Sequence, residues 1–329
     1  MAEQPRPAAW LWNKNPLAFL LWPLSQLFCA LVWLRRKLYQ RGVLRSTKLP
    51  VMTLVVGNIS LGGNGKTPIV IALIDLLRQQ GYRPGILTRG YKSDYEHEIT
   101  LLSDGKSSDR AGDEANMLSQ LCACPIAVGA NRVQGGQALL QRFTDIDIIV
   151  TDDGLQHYAL ARDIEIIVQR QAANGNGFCL PAGPLRESTR RLATADIVIE
   201  RDGADVSESF GRCWNLLDPQ QQCDLQEFRG RRVHALAGIG FPELFFDALR
   251  AQGLALDAHG FGDHHAFSEN DLHDLTDAPL LVTHKDAVKL QAIADKLRLE
   301  QLWVVPLELT LSDDLQYRLI QLIEKKHHG

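Results

Sequence analysis

Hydrophobic and polar positions change rhythm several times along this chain. Residues 17–34 form one uncharged apolar block that breaks into basic positions at Arg35, Arg36 and Lys37. From residue 51 onward, short apolar runs alternate with longer segments of helical period. The runs at 51–56, 84–89, 125–128, 145–150, 164–168 and 197–200 read as buried strands. Segments 68–77, 113–122 and 132–143 carry the three-to-four spacing of helices with one apolar side. Residues 98–102 read as a short strand or hairpin arm. Short apolar strands separated by helices predict an α/β fold, a mostly parallel sheet with helices on both faces. Residues 202–231 are more polar and less periodic, with Gln220, Gln221 and Gln222 in a run, and read as a joining region, either a plain connection or a β-ribbon. A smaller α/β unit is expected over 232–329, with strands at 232–236, 280–282 and 303–307 and helices at 242–251, from after Asp286 to 297, and at 313–325.

The first strand runs into Gly57, Gly62, Gly63 and Gly65, then Lys66-Thr67 and a helix. Strand, glycine-rich loop, Lys-Thr and helix together make a phosphate-binding device. Glycine lets backbone N–H groups curl around phosphate oxygens, and the helix N-terminus adds its positive dipole end. Lys66 is placed to reach the β- and γ-phosphates of a nucleotide triphosphate, and Thr67 to bind Mg²⁺. The common G-x-x-x-x-G-K-[ST] spacing would put glycine at position 60, where this chain has Ser60. Pro68, in the first helical turn, has no N–H partner to lose.

In sheets of this kind ligands bind beyond the carboxyl ends of the strands, and the informative polar residues fall there. Asp152 and Asp153 close the run at 145–150, where an acid beside a phosphate loop commonly holds Mg²⁺. Arg89 and Tyr91 follow the second strand, suited to an anionic or hydroxylated ligand. Asp113, at the start of a helix, is either an N-cap or a carboxylate presented to substrate. In 261–267, Asp263, His264 and His265 are adjacent. Neighbouring loop histidines seldom share one ion without further ligands, so acid–base work or a structural loop is the better reading.

Composition bounds the rest. The chain has 329 residues, 45% hydrophobic and 22% charged, enough for one large or two modest domains. A net charge of −4 argues against a broad nucleic-acid surface. The six cysteines show no zinc-finger spacing, which leads us to expect packed, reduced thiols in a reducing compartment. Segment 17–34 is long enough for a bilayer, which takes roughly 17 to 25 residues. Trp10, Trp12, Trp22 and Trp33 lie in or beside it, and the excess of Lys and Arg after it puts the remaining chain on the cytoplasmic side. It either crosses the bilayer or lies in the interface; a buried core helix is the bland alternative.

Several motifs occur together in one order: 60–68 (SLGGNGKTP), Thr88-Arg89-Gly90-Tyr91, Gly112-Asp113-Glu114, 151–157 (TDDGLQH), 180–187 (LPAGPLRE) and 262–265 (GDHH). In this the chain closely resembles tetraacyldisaccharide 4′-kinases, membrane-associated P-loop kinases of lipid A biosynthesis, over nearly its whole length. Ser60 is then the family's own variant. The resemblance implies a P-loop core over 49–201, a smaller domain over 232–329 that closes with the core around the active site, and an N-terminal membrane-associated helix within 1–48. It implies transfer of the ATP γ-phosphate to the 4′-hydroxyl of tetraacyldisaccharide 1-phosphate, giving lipid IV-A, at the inner membrane. Asp113 resembles the general base, assisted by His264 rather than His265. Ser60, Leu61, Gly62, Gly63, Asn64, Gly65, Lys66 and Thr67 would hold ATP; Thr67, Asp152 and Glu114 would hold Mg²⁺. Arg89, Tyr91, Arg132, Asp153, Gln156, His157 and His265 would contact substrate or phosphate. The rival function is a membrane-tethered P-loop ATPase or switch that drives a partner. Nothing in the sequence requires an obligate protein partner.

Overall fold

The computed structural model describes residues 13–61, 65–90, 98–103, 105–106, 108, 110–262 and 265–327, with the backbone alone at Asp113. It divides into two compact units, residues 1–207 with 310–329, and residues 208–309.

The first unit opens with α1 (Pro16–Gln40), capped by the Asn15 side chain, which accepts from Ala18 N at 2.9 Å. Only Ala18 and Ser25 are buried along α1, whereas Leu20 is 76% exposed and Leu24, Leu27 and Leu31 are also open. An apolar helix with this much exposure is not a core helix, which removes the bland alternative. By length and hydropathy it is able to cross a bilayer.

Next come β1 (Met52–Gly57), α2 (Lys66–Gln79), β2 (Pro84–Thr88), β3 (Thr100–Leu102), α3 (Asp113–Cys122), β4 (Ile126–Val128), α4 (Arg132–Arg142), β5 (Ile148–Thr151), β6 (Ile164–Gln169) and β7 (Ile197–Glu200). These strands form one sheet in the order β3-β4-β2-β5-β1-β6-β7, parallel except for β3. The central strands are buried on both faces, which is why they read as unbroken apolar runs rather than alternating ones. β5 inserts between β1 and β2, pairing Val55 with Thr151. That crossover sets the carboxyl ends of β1 and β5 side by side.

One expectation is overturned. Cys29 of α1 is joined to Cys179 by a disulfide, 150 residues apart in sequence. The remaining cysteines, Cys122, Cys124, Cys213 and Cys223, are free and buried, as expected. Spacing along the chain says nothing of a pair that meets only once α1 packs on the loop after β6. Ser25 Oγ fixes the same contact by donating to Cys179 O at 2.8 Å.

β8 (Val206–Phe210) leads out of the first unit. The second unit contains β9 (Cys213–Asn215), β10 (Gln222–Cys223), β11 (Arg232–Ala237), α5 (Pro242–Ala251), β12 (Ala255–Gly260), α6 (Glu269–Leu272), β13 (Leu280–Thr283), α7 (His284–Leu297) and β14 (Leu302–Val305). Its sheet runs β10-β9-β14-β13-β11-β12. The chain returns through β15 (Leu307–Leu311), paired with β8, to α8 (Asp313–His327). Here the boundaries differ from the expected 202–231 and 232–329. β9 and β10 join the second sheet, and α8 belongs with the first unit. β9 and β10 pair antiparallel, Cys213 with Cys223, so the polar 202–231 stretch does contain a β-ribbon; its membership of the second sheet was hidden, since strands of two or three residues leave no period to read.

Candidate active site

β1 ends at Gly57, whose position admits no side chain. A Cβ there would lie 2.5 Å from Leu155 Cβ, in the turn that follows β5. The chain then reaches Gly65, which caps α2 with φ +65 and ψ 36, a left-handed conformation suited to glycine. Gly65 is also crowded, since a Cβ would sit 2.9 Å from Arg201 Cζ. Lys66 and Thr67 thus occupy the first turn of α2, where free N–H groups and the dipole attract anions. Lys66 Nζ donates to Asn58 Oδ1 at 3.3 Å and pairs with Asp153 Oδ1 at 3.5 Å.

The loop holding motif 180–187 lies along the same phosphate loop. Leu61 N donates to Pro184 O at 2.8 Å, Arg186 N donates to Ile59 O at 2.7 Å, and Ser60 bridges Leu185. Its prolines and glycine therefore shape a backing strip for residues 59–61 rather than a bare connection.

Thr67, Asp152 and Glu114 converge. Thr67 Oγ1 donates to Glu114 Oε1 at 2.9 Å and lies 3.4 Å from Asp152 Oδ2. Asp152 is 2% exposed, and its Oδ1 is buried without a hydrogen-bond partner. Among the described residues no three His, Cys, Asp or Glu side chains cluster as a closed metal site. A hydroxyl, two carboxylates and an orphaned carboxylate oxygen are nevertheless a hard-oxygen set of the kind Mg²⁺ takes when phosphate and water complete its shell. Burial, reinforced by the Glu114 charge and only partly countered by Lys66, pushes the Asp152 carboxyl up to about 7.

That shift has a measurable sign. An unfolded aspartate ionises near 3.8, while folded Asp152 keeps its proton to about 7. Between those values the native state binds more protons than the unfolded state, so stability falls as pH rises. The ligand-free protein is therefore expected to lose melting midpoint steadily as pH rises through this window. Asp152→Asn should remove that slope. Parallel profiles for the two proteins would show the carboxyl already ionised at low pH.

Asp153 behaves in the opposite way. Burial pushes its carboxyl up, but Lys66 and Arg186 outweigh burial and hold it below the usual range. Arg186 Nη1 lies 3.3 Å from Asp153 Oδ2 and 3.5 Å from Gln156 Oε1. Gln156 Nε2 donates to Asn58 O and to Glu187 Oε1, both at 3.0 Å. Glu187 is buried and also accepts from Tyr158 Oη at 2.9 Å. Arg132, at the start of α4, is 4% exposed and donates to Gly129 O at 2.5 Å and Asp152 O at 3.3 Å. Burial lowers it to about 10, still protonated at neutral pH. Burial, then the Arg132 charge, lowers His157 to about 4, so its ring is neutral.

Asp113 is the first residue of α3 with Gly112 at the cap, so the N-cap reading fails. Its carboxylate lies outside the described residues, as do Gly62, Gly63, Asn64, Tyr91, Asp263 and His264. Arg89 is exposed just beyond β2. His265 belongs to the second unit, where its ring packs on Phe261 at 4.6 Å and its Nε2 lies 3.4 Å from Asp271 Oδ2. Asn58, Arg186, Glu187 and Arg201 carried no role in the sequence reading. Arg186 and Glu187 stood inside a quoted motif, which was a signal. Arg201 Nη1 meets Gly65 O at 3.4 Å across 136 residues, a contact no local pattern announces.

A family model described as LpxK, tetraacyldisaccharide-1-P 4′-kinase, matches residues 17–324. A tetraacyldisaccharide 4′-kinase of Azoarcus sp. (strain BH72) is 41% identical, covering 98% of this chain and 96% of its own. Another from Shewanella pealeana is 42% identical, covering 96% of each. Among solved structures, LpxK from Aquifex aeolicus in complex with ATP superposes with a TM-score of 0.77 at 27% identity, covering 94% of this chain and 99% of that one.

Proposed function

The chain belongs to the tetraacyldisaccharide 4′-kinase family, and from that membership we propose how its own residues carry the transfer. It is an ATP-dependent kinase of lipid A biosynthesis that phosphorylates the 4′-hydroxyl of tetraacyldisaccharide 1-phosphate to give lipid IV-A. The observation that carries the site assignment is the meeting of Lys66, Thr67, Glu114 and Asp152 at one end of the sheet.

Phosphoryl transfer depends on positioning and charge neutralisation more than on covalent help. The start of α2 and the loop through Gly65 bind the phosphates by backbone N–H groups. Lys66, poised on Asn58 and Asp153, exchanges those contacts for phosphate oxygens. Arg186, Arg132 and Arg89 add positive charge around the same strand ends. Thr67, Asp152 and Glu114 would hold Mg²⁺, which when bound offsets phosphate charge. Asp113 accepts the hydroxyl proton as the sugar oxygen attacks γ-phosphorus and the bond to the bridging oxygen of ADP breaks. His264 assists that carboxylate, and Asp113 returns the proton to solvent.

Membrane association rests on the exposed leucines of α1 and the basic positions after it. It places the acceptor, whose acyl chains remain in lipid, within reach of a cytoplasmic site at the inner membrane. Replacing Leu20, Leu24, Leu27 and Leu31 by Ser is expected to move the protein from vesicle pellet to supernatant. Unchanged sedimentation would assign the association to another surface.

The transfer itself is tested with γ-labelled ATP and the tetraacyldisaccharide acceptor. Label in a 4′-phosphorylated lipid is expected. Label released only as free phosphate would instead support the ATPase or switch.

A further inference from the structure

A groove of about 780 Å³ opens beside α1. One wall is a single helical face, with Gln26, Ala30, Trp33 and Lys37 at successive turns. The facing wall comprises Phe178, Ser188, Thr189 and Arg190. Neither Lys66 nor Thr67, Glu114 or Asp152 lines it.

The groove is built rather than incidental. Its two walls are joined by the Cys29–Cys179 bond and by Ser25 Oγ donating to Cys179 O at 2.8 Å. At its other end, Arg36 Nη2 donates to Thr194 Oγ1 at 2.8 Å. These ties fix the spacing between helix and loop before anything binds.

Its chemistry is divided along its length. Ala30, Val32, Trp33 and Phe178 offer apolar surface. Arg36, Lys37 and Arg190 supply positive charge, and Ser188 and Thr189 supply hydroxyl donors. Glu187 is the acid in the lining, but it is buried and satisfied by Gln156, Tyr158 and Arg191. A ligand that fits carries a compact anion at one end and hydrocarbon at the other. The place fits as well: the basic residues follow directly on the uncharged block 17–34, at the depth where lipid headgroups meet water.

We propose that this groove holds the phosphate and glycerol of one anionic glycerophospholipid, with its acyl chains lying along α1 into the bilayer. The volume is within the usual range for a small-molecule site and accommodates a headgroup rather than a whole diacyl lipid. The proposal rests on the membrane reading above, but adds a specific site to it. Because Glu187 both lines the groove and holds Gln156, the bound lipid adjoins the catalytic network.

General attraction of basic residues to an anionic surface would give some of the same behaviour, so the decisive variants keep the charge. Ala30→Trp and Thr189→Trp fill the groove from opposite walls, at exposed positions. Full-length protein is reconstituted in nanodiscs of equal phosphatidylcholine and phosphatidylglycerol, released into mild detergent, and weighed by native mass spectrometry. The parent protein is expected to retain one phosphatidylglycerol. Each Trp variant should retain about tenfold less, and Lys37→Gln/Arg190→Gln about thirtyfold less, from the two charges it loses at an anionic surface. Sedimentation of the Trp variants with neutral phosphatidylcholine vesicles should match the parent, and their melting midpoints should confirm folding. Parent-like retention by both folded Trp variants, or no retained lipid in the parent, overturns the proposal. Displacement of the lipid one for one by tetraacyldisaccharide 1-phosphate overturns it too, making the groove an acceptor subsite. Failure of the parent to sediment with neutral vesicles would strike the membrane reading instead.

Discussion

Lys66→Ala is expected to lower phosphoryl transfer to the tetraacyldisaccharide by about a thousandfold, the upper range for removing one preorganised charge-stabilising donor. The size follows from the site's shape. Lys66 stands in the first turn of α2, with its side chain 12% exposed, so bulk water cannot replace its charge at the phosphates. Asp153 would lose one of its two ion-pair partners among the described residues, leaving a less compensated carboxylate beside the phosphate position. Lys66→Arg should recover little, because a planar forked guanidinium cannot act as the compact point charge seated between Asn58 and Asp153. The measurement is transfer of γ-label to lipid at saturating ATP. Parent-like transfer by Lys66→Ala would remove the phosphate loop from the mechanism.

Asp113→Ala should separate chemistry from binding. A general base contributes about a hundredfold to ten-thousandfold, so kcat should fall by that amount, while ATP affinity measured by calorimetry stays within about twofold. Position matters to this split. Asp113 and Glu114 are consecutive at the start of α3, and the Glu114 carboxylate accepts from Thr67. Glu114→Gln is therefore the useful contrast, raising the Mg²⁺ concentration needed for half-maximal rate. If Asp113→Ala weakens ATP binding as much as it slows turnover, its carboxylate serves the structure and another group takes the proton.

The legible parts of this molecule are those with a local period or a local exception to one. The runs at 164–168 and 197–200 became β6 and β7, where Ile164, Ile166, Ile167 and Val168, and then Ile197 and Ile199, are buried, so both strands are mostly apolar. Segments 113–122 and 242–251 match α3 and α5 at both ends. Lys66, Thr67 and Asp152 were legible because glycine loops and strand-ending acids are unusual in the apolar runs they interrupt. β12 was missed: its residues, Ala255–Gly260, are partly exposed and alternate weakly. α6, a four-residue helix, was too short to show a period.

Sequence alone determined the elements of the core, the phosphate-binding loop, the exposed apolar helix and the family. Each depends on residues near one another in the chain, whose spacing already expresses the backbone geometry they adopt. The strand order, which inserts β5 between β1 and β2, was decided only by tertiary packing, and with it the meeting of Asp152 with Thr67. So were the disulfide from Cys29 to Cys179, the approach of Arg201 to Gly65, and the opposite charge preferences of the adjacent Asp152 and Asp153. The reason is physical: desolvation and Coulomb energy depend on distance and burial in space, and two neighbouring aspartates can point into quite different surroundings.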